Sequence, residues 1–187
     1  MASHVALLRG VNVGGRNRLS MADLRSVMED LGHREVRTYI QSGNAVFGAD
    51  GHSAVLARQL AQAVGERLGI RPHVVVLSRG ELAAVVAANP FPDVADPKAL
   101  HAGLRHDEPG EAARAVIESA RGRAQERGSG EDVRLVGRTL YLHTPAGLGR
   151  SDLAAQLARA GGPLVAGEGT TLRNWATVTR LLAMCDE

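Results

Sequence analysis

The chain has 187 residues, 44% of them hydrophobic, with a formal net charge of +2. That length buries a core as one large domain or two small ones. Arginines and carboxylates are interspersed along it, so the concentrated basic face of a nonspecific nucleic-acid binder is not predicted.

Lys98 is the only lysine, so nearly all positive charge is arginine. Coding bias explains this as well as a need for bidentate grip on carboxylate or phosphate. Cys185 is the only cysteine, which excludes an intramolecular disulfide and a cysteine-based metal site. No metal site is expected, and no pattern names a cofactor. No apolar run approaches the ~20 residues of a membrane span, and no signal-peptide pattern is present. The expectation is a cytoplasmic protein with no membrane partner.

His4 to Leu8 reads as a buried strand. A loop rich in Gly, Asn and Arg follows, from Arg9 to Leu19. Ser20 reads as a helix N-cap with Asp23 in the first turn. Met21, Leu24, Val27, Met28 and Leu31 fall at helical spacing, and Gly32 stops the run. Val36–Ile40 and Asn44–Phe47 are extended runs separated by Gln41-Ser42-Gly43. Ser53 to Leu68 is an amphipathic helix ended by Gly69, and His73–Leu77 is a further strand. The first 78 residues thus read β-α-β-β-α-β, the ferredoxin-like order.

Ser78 and Glu81 form a capping-box pattern for a helix to about Ala88, ended by Asn89-Pro90-Phe91-Pro92. Asp93 to Lys98 reads as a linker or crossing loop. Leu100–Leu104 is then a weak strand and Gly110–Arg121 a helix. Val133–Val136 and Arg138–His143 form a hairpin through Gly137. Ser151–Ala160 and Leu172–Met184 are helices. The expected fold class is α+β, with two ferredoxin-like subdomains of antiparallel sheet, residues 1–92 and 93–187.

Four segments carry candidate chemistry. In the opening loop, Gly14 and Gly15 allow close backbone approach, and Arg9, Arg16 or Arg18 neutralise negative charge. The bland alternative is a β-to-α connection with solvated arginines. The spacing of Gly10, Gly14 and Gly15 matches neither the dinucleotide fingerprint nor the phosphate loop. Thr38-Tyr39-Ile40-Gln41-Ser42-Gly43-Asn44 is a polar insert that ordinary turn chemistry also explains. Pro145 to Ser151 partly matches a phosphate loop, but Thr144 and Arg150 stand where glycine and lysine are required; a loop before a helix capped by Ser151 is the better reading. In Thr170 to Thr177, Trp175 packs on the core, while Arg173, Asn174 and Thr177 are candidates to face a groove.

None of these segments holds a cysteine or a histidine, apart from His4 and His143 in flanking strands. Acid–base catalysis would have to use Tyr39, His4, His143 or a distant carboxylate, so no catalytic residue is named. The inventory of donors favours recognition of an anion.

The same segments carry a family resemblance. Leu7-Leu8-Arg9-Gly10-Val11-Asn12-Val13-Gly14-Gly15, Met21, Leu24 and Thr38 to Phe47 begin it. Ala88-Asn89-Pro90-Phe91, Tyr141, Gly147 to Ser151 and Thr171 to Val178 continue it. On these residues the chain resembles the bacterial domain of unknown function 1697. The resemblance implies a compact cytoplasmic α+β protein with two ferredoxin-like subdomains, and no known activity. Leu172 stands where a second polar residue is common, and Arg150 where lysine is also usual.

The expected function is binding of a small phosphorylated or carboxylated ligand. The cleft would gather Arg9, Asn12, Gly14, Gly15, Asn17, Gln41, Ser42, Asn44, Arg173 and Asn174. One alternative is a protein-interaction module, with a homodimer possible through an uncovered sheet edge. Another is nucleic-acid binding on the sheet, although aromatics are only 3% and base stacking needs them.

Overall fold

Two four-stranded sheets with the same strand order account for the architecture. The computed structural model describes residues 2–14, 17–159 and 169–187. The chain runs β1 (His4–Arg9), α1 (Met21–Asp30), β2 (Arg34–Tyr39), β3 (Asn44–Gly48), α2 (Ser53–Leu68), β4 (His73–Ser78) and α3 (Arg79–Ala87). It continues through β5 (Leu100–Leu104), α4 (Glu111–Glu126), β6 (Asp132–Val136), β7 (Thr139–His143), α5 (Asp152–Leu157), β8 (Thr171–Asn174) and α6 (Trp175–Asp186). The sheet orders are β2-β3-β1-β4 and β6-β7-β5-β8, and the pairings are antiparallel. Both are ferredoxin-like, each followed by one further helix. Chain contacts define a first unit, Met1–Ala84 with Thr179–Glu187, and a second, Val85–Val178.

In the first unit, α1 and α2 cover one sheet face. Register places Ala6 opposite Ala45 and Val76, and these pack with Leu8, Phe47 and Val74 against Leu24, Met28, Leu60 and Val64. Removing each such large side chain from water stabilises the fold by about 1.5–3 kcal/mol. The helices start where the residue chemistry directs. Ser20 Oγ accepts from Asp23 N at 3.0 Å. Ser78 Oγ accepts from Glu81 N at 3.1 Å while Glu81 Oε2 accepts from Ser78 N at 2.7 Å, a reciprocal capping box. Ser53 Oγ also donates to that Glu81 oxygen, tying the starts of α2 and α3.

The opposite face of this sheet is buried too, at Val5, Leu7, Val46, Val75 and Leu77. Arg37 stands opposite Val46, so its side chain leaves this face. There it donates to Met184 O and pairs with Glu187, while Arg79 pairs with Asp186 at 2.6 Å. The end of α6 is thereby fastened to the first unit.

In the second unit, α4 and α5 cover one face, with Ile117, Ala120, Ala124, Leu153 and Leu157 against Val133, Leu140 and Leu142. Tyr141 points to the other face, as does its register partner Ala102. Its hydroxyl donates to Val85 O at 2.7 Å, and its ring lies 6.2 Å from Trp175. Burial pushes its pKa up to about 12.

Three elements differ from expectation. The segment expected to begin a helix at Leu172 is instead the strand β8, and the helix starts at Trp175. Pairing with β5 satisfies its backbone, and Asn174 Oδ1 accepts from Ala176 N at 2.9 Å, a cap that sets the helix start three residues later. Helix α4 runs past Arg121 to Glu126, because Ala124 is buried in the core and outweighs the helix cost of Gly122, about 1 kcal/mol. Helix α5 closes at Leu157; Ala160, its expected end, lies outside the described residues.

Burial holds the pKa values of His4, His33 and His101 below the ordinary histidine value, and His4 adds a like-charge effect on His33. The unfolded chain then binds more protons than the folded one just below pH 6.5, so stability falls as the pH drops through that value. The urea midpoint is expected to be lower at pH 5.5 than at pH 7.5, and the drop smaller in His101→Leu. Tyr141→Phe leaves the Val85 carbonyl without its donor and is expected to cost about 1–3 kcal/mol in urea unfolding.

Candidate functional site

Strand register decides which loops meet. β1 ends at Arg9 opposite His73, the first residue of β4, and Leu7 stands opposite Asn44, the first residue of β3. The β1–α1 loop (10–20), the β2–β3 turn (40–43) and the α2–β4 loop (69–72) therefore leave the same end of the first sheet. These three loops contain no aspartate or glutamate, whereas they contain Arg16, Arg18 and Arg71, beside Arg9 at the strand end.

Two of the loops are stitched together by one amide. Asn12 Nδ2 donates to Leu19 O and to Gln41 O, both at 2.8 Å, and Asn12 Oδ1 accepts from Leu19 N at 2.9 Å. Both amide hydrogens are thus engaged, one of them across to the β2–β3 turn. Asn17 Nδ2 donates to Gly10 O at 2.8 Å, and Asn12 N donates to Asn17 O at 3.0 Å. Both asparagines sit at positive φ, 55° and 49°, a region that Asn tolerates better than other side-chain-bearing residues. On the turn side, Leu8 N donates to Gly43 O at 2.7 Å. Gly43 has φ 74°, and a Cβ there would lie 2.7 Å from Val11 and 2.9 Å from Leu8, so only glycine fits. Asn44 is fully buried, with Nδ2 donating to Tyr39 O at 3.2 Å and Ser42 Oγ at 2.8 Å.

The sequence-predicted site residues consequently divide by what they do. Asn12, Asn17 and Asn44 hold the loops in shape. Gly14, Gln41 and Ser42 are exposed on the joined loops, and Arg9 is partly exposed at the strand end beneath them. Arg18 is exposed on the opening loop. Gly15 and Arg16 lie outside the described residues.

Arg173 and Asn174 belong to the second unit. Arg173 stands opposite Ala102, on the same face as Tyr141, and its guanidinium donates to Leu172 O at 3.0 Å. Burial lowers its pKa to about 10. Asn174 caps α6. Ser151 caps α5, accepting from Ala154 N at 2.9 Å, as the plain reading of that segment expected.

The candidate residues missed in the sequence are apolar. Val13 is 67% exposed in the opening loop and Ile40 is 53% exposed in the turn. Ile40 also has φ 49°, an unusual and costly conformation for a β-branched side chain. Its β-branched character reads as strand, which is why the sequence places it in β2. What the loops offer is a rim of hydrogen-bond donors and cations with two apolar side chains on it. Among the described residues no cluster of His, Cys, Asp and Glu has the form of a metal site. Both sheets are buried on both faces through their central strands, so neither presents the open face that base stacking uses.

Residues 1–141 match the family described as "Protein of unknown function (DUF1697)". The chain belongs to this family. The matched region contains every first-unit candidate residue, while Arg173 and Asn174 lie beyond it. The fold is also that of a solved structure, the conserved bacterial protein SP0830 from Streptococcus pneumoniae. That likeness has a TM-score of 0.71 at 22% identity and covers 98% of each chain. No curated protein matches this DUF1697 chain. No described helix is long and apolar enough to cross a membrane.

Asn12→Gly keeps the backbone conformation available but removes the stitch. It is expected to cost about 1–2 kcal/mol in urea unfolding and to speed amide exchange at Leu19. Unchanged stability and exchange would show that the two loops hold each other by other contacts.

Proposed function

We propose that this DUF1697 protein binds a small anionic ligand, phosphorylated or carboxylated, on the joined loops of its first unit. One observation carries the reading: three loops leave one sheet end with arginines and no carboxylate, and two of them are stitched by Asn12. Loops that carry cations and no carboxylate raise the potential at that end, and the field attracts an anion. Arg9 and Arg18 supply charge. Gly14 N–H, Gln41 and Ser42 supply directed donors, and Asn12, Asn17 and Asn44 hold the backbone that presents them. Preorganisation of this kind lowers the entropy that binding must overcome. A cytoplasmic location suits such a ligand.

No group on these loops is placed as an acid, a base or a nucleophile, and the proposal is recognition rather than turnover. A second reading has its own support. Val13 and Ile40 are exposed apolar side chains on the same two loops, which suits a protein partner whose acidic groups meet Arg9 and Arg18. Nucleic-acid binding on the sheet is not favoured, since both sheet faces are buried.

A thermal-shift screen with nucleotides, sugar phosphates, coenzyme fragments and dicarboxylates tests the proposal. A true ligand raises the melting temperature of the wild type. Arg9→Ala and Arg18→Ala are each expected to weaken it by about 10- to 100-fold, the equivalent of about 1.5–3 kcal/mol for a hydrogen bond to a charged group. Folded variants that respond like the wild type would overturn the assignment.

A further inference from the structure

The two most exposed large hydrophobic side chains among the described residues are Val13 and Ile40. Both lie on the joined loops at the end of the first sheet. Asn12 Nδ2 donates to Gln41 O, and Val13 and Ile40 are the chain neighbours of these two residues. The stitch that joins the loops therefore keeps both aliphatic side chains on one connected surface. Arg18 is exposed on the same loops, Arg9 is partly exposed at the strand end beneath them, and Arg71 is exposed on the third loop. None of the three loops carries a carboxylate.

Stability does not account for these two side chains. Ile40 adopts φ 49°, where a β-branched residue is strained, and its exposure gives little burial to offset that strain. Val13 leaves most of its surface in water. A single exposed apolar side chain is ordinary, but here two stand on hydrogen-bonded loops among arginines. Two side chains offer far less than the ~800 Å² that each partner buries in a stable protein interface. They also offer too little to hold a membrane, since even one myristoyl chain binds a bilayer only marginally. Their area suits one short aliphatic chain. The three loops contain no aromatic residue, so this surface does not offer ring stacking.

We infer that the ligand of these loops is an amphiphilic anion, with a phosphate or carboxylate head on a short aliphatic chain. This ligand class rests on the anion site proposed for the same loops and adds the chain to it. The head lies against Arg9 and Arg18, held by charge-assisted hydrogen bonds. The chain lies across Val13 and Ile40 and covers both. The head alone then binds more weakly than the head with its chain.

Calorimetric titration of the full chain tests this with butyl, hexyl and octyl phosphate and with carboxylates of the same chain lengths, all below their micelle concentrations. Full burial of a methylene raises affinity about fourfold, and half burial on an open loop about twofold. With at least one of the two heads, affinity is expected to rise about 16-fold from the butyl to the octyl compound, with a negative heat-capacity change. Val13→Ser with Ile40→Asn is expected to flatten this rise while leaving the affinity for inorganic phosphate unchanged. Asparagine tolerates the positive φ, and circular dichroism checks that the fold is kept. Arg9→Ala with Arg18→Ala is expected to weaken every member of the series without changing its slope. Equal affinity along the series, still dependent on the two arginines, would overturn the chain and leave the anion site standing. A rise that survives Val13→Ser with Ile40→Asn would overturn the chain as well. Binding of none of the probes, or binding insensitive to the arginine changes, would remove the anion site and its chain together. Capture by phosphatidylglycerol vesicles with no response to the soluble amphiphiles would assign the surface to a membrane instead.

Discussion

A four-stranded sheet buried on both faces has only its ends and edges left for solvent. In the first unit, α1 and α2 take one face, and the end of α6, fastened through Arg37, lies on the other. In the second, α4 and α5 take one face and Tyr141 reaches Val85 on the other. Double burial removes the surface on which a ferredoxin-like sheet stacks bases. It also requires apolar residues at successive positions, as in Val5-Ala6-Leu7-Leu8, where a half-buried strand would alternate. The loops at the sheet end stay exposed.

At the sheet end, the side chains that look most available in the sequence are not equivalent. An asparagine is both donor and acceptor, and in a tight loop the nearest partners are backbone groups. Asn12 meets three of them, and this joins the opening loop to the β2–β3 turn. Asn44 satisfies the inside of the hairpin from a fully buried position. Arginine behaves differently. Its long side chain reaches beyond the local backbone, and its five donors are not exhausted by one carbonyl. The loops thus separate into asparagines that shape the backbone and arginines that charge it.

At the end of the first sheet, three neighbouring loops carry arginines and no carboxylate. Their backbone conformation is held by side-chain amides, and Ile40 stands at the rim with positive φ. Charge placed on such loops depends on backbone held by hydrogen bonds, so a substitution in that scaffold disturbs it more than one on a rigid helix would.

Periodicity and capping residues in the sequence determined most of the secondary structure. Ser20, Ser78 with Glu81, Gly69 and Ser151 act locally, so their roles are readable without the rest of the chain. The β-α-β-β-α-β order of the first unit, the antiparallel sheets and the arginine- and amide-rich character of the opening loop follow from the same local signals. Tertiary structure decided what depends on distant partners. The Thr171–Asn174 segment is a strand because β5 offers it a free edge, and α4 outlasts Gly122 because Ala124 has a core to enter. Asn12 is a stitch rather than a free donor because Gln41, remote in sequence, is brought beside it by strand pairing. Arg127 pairs with Asp152 because α4 packs on α5. Local hydrogen bonds and hydrophobic spacing are encoded within a few residues, whereas the partner of a side chain is set only when the sheets close and the helices pack.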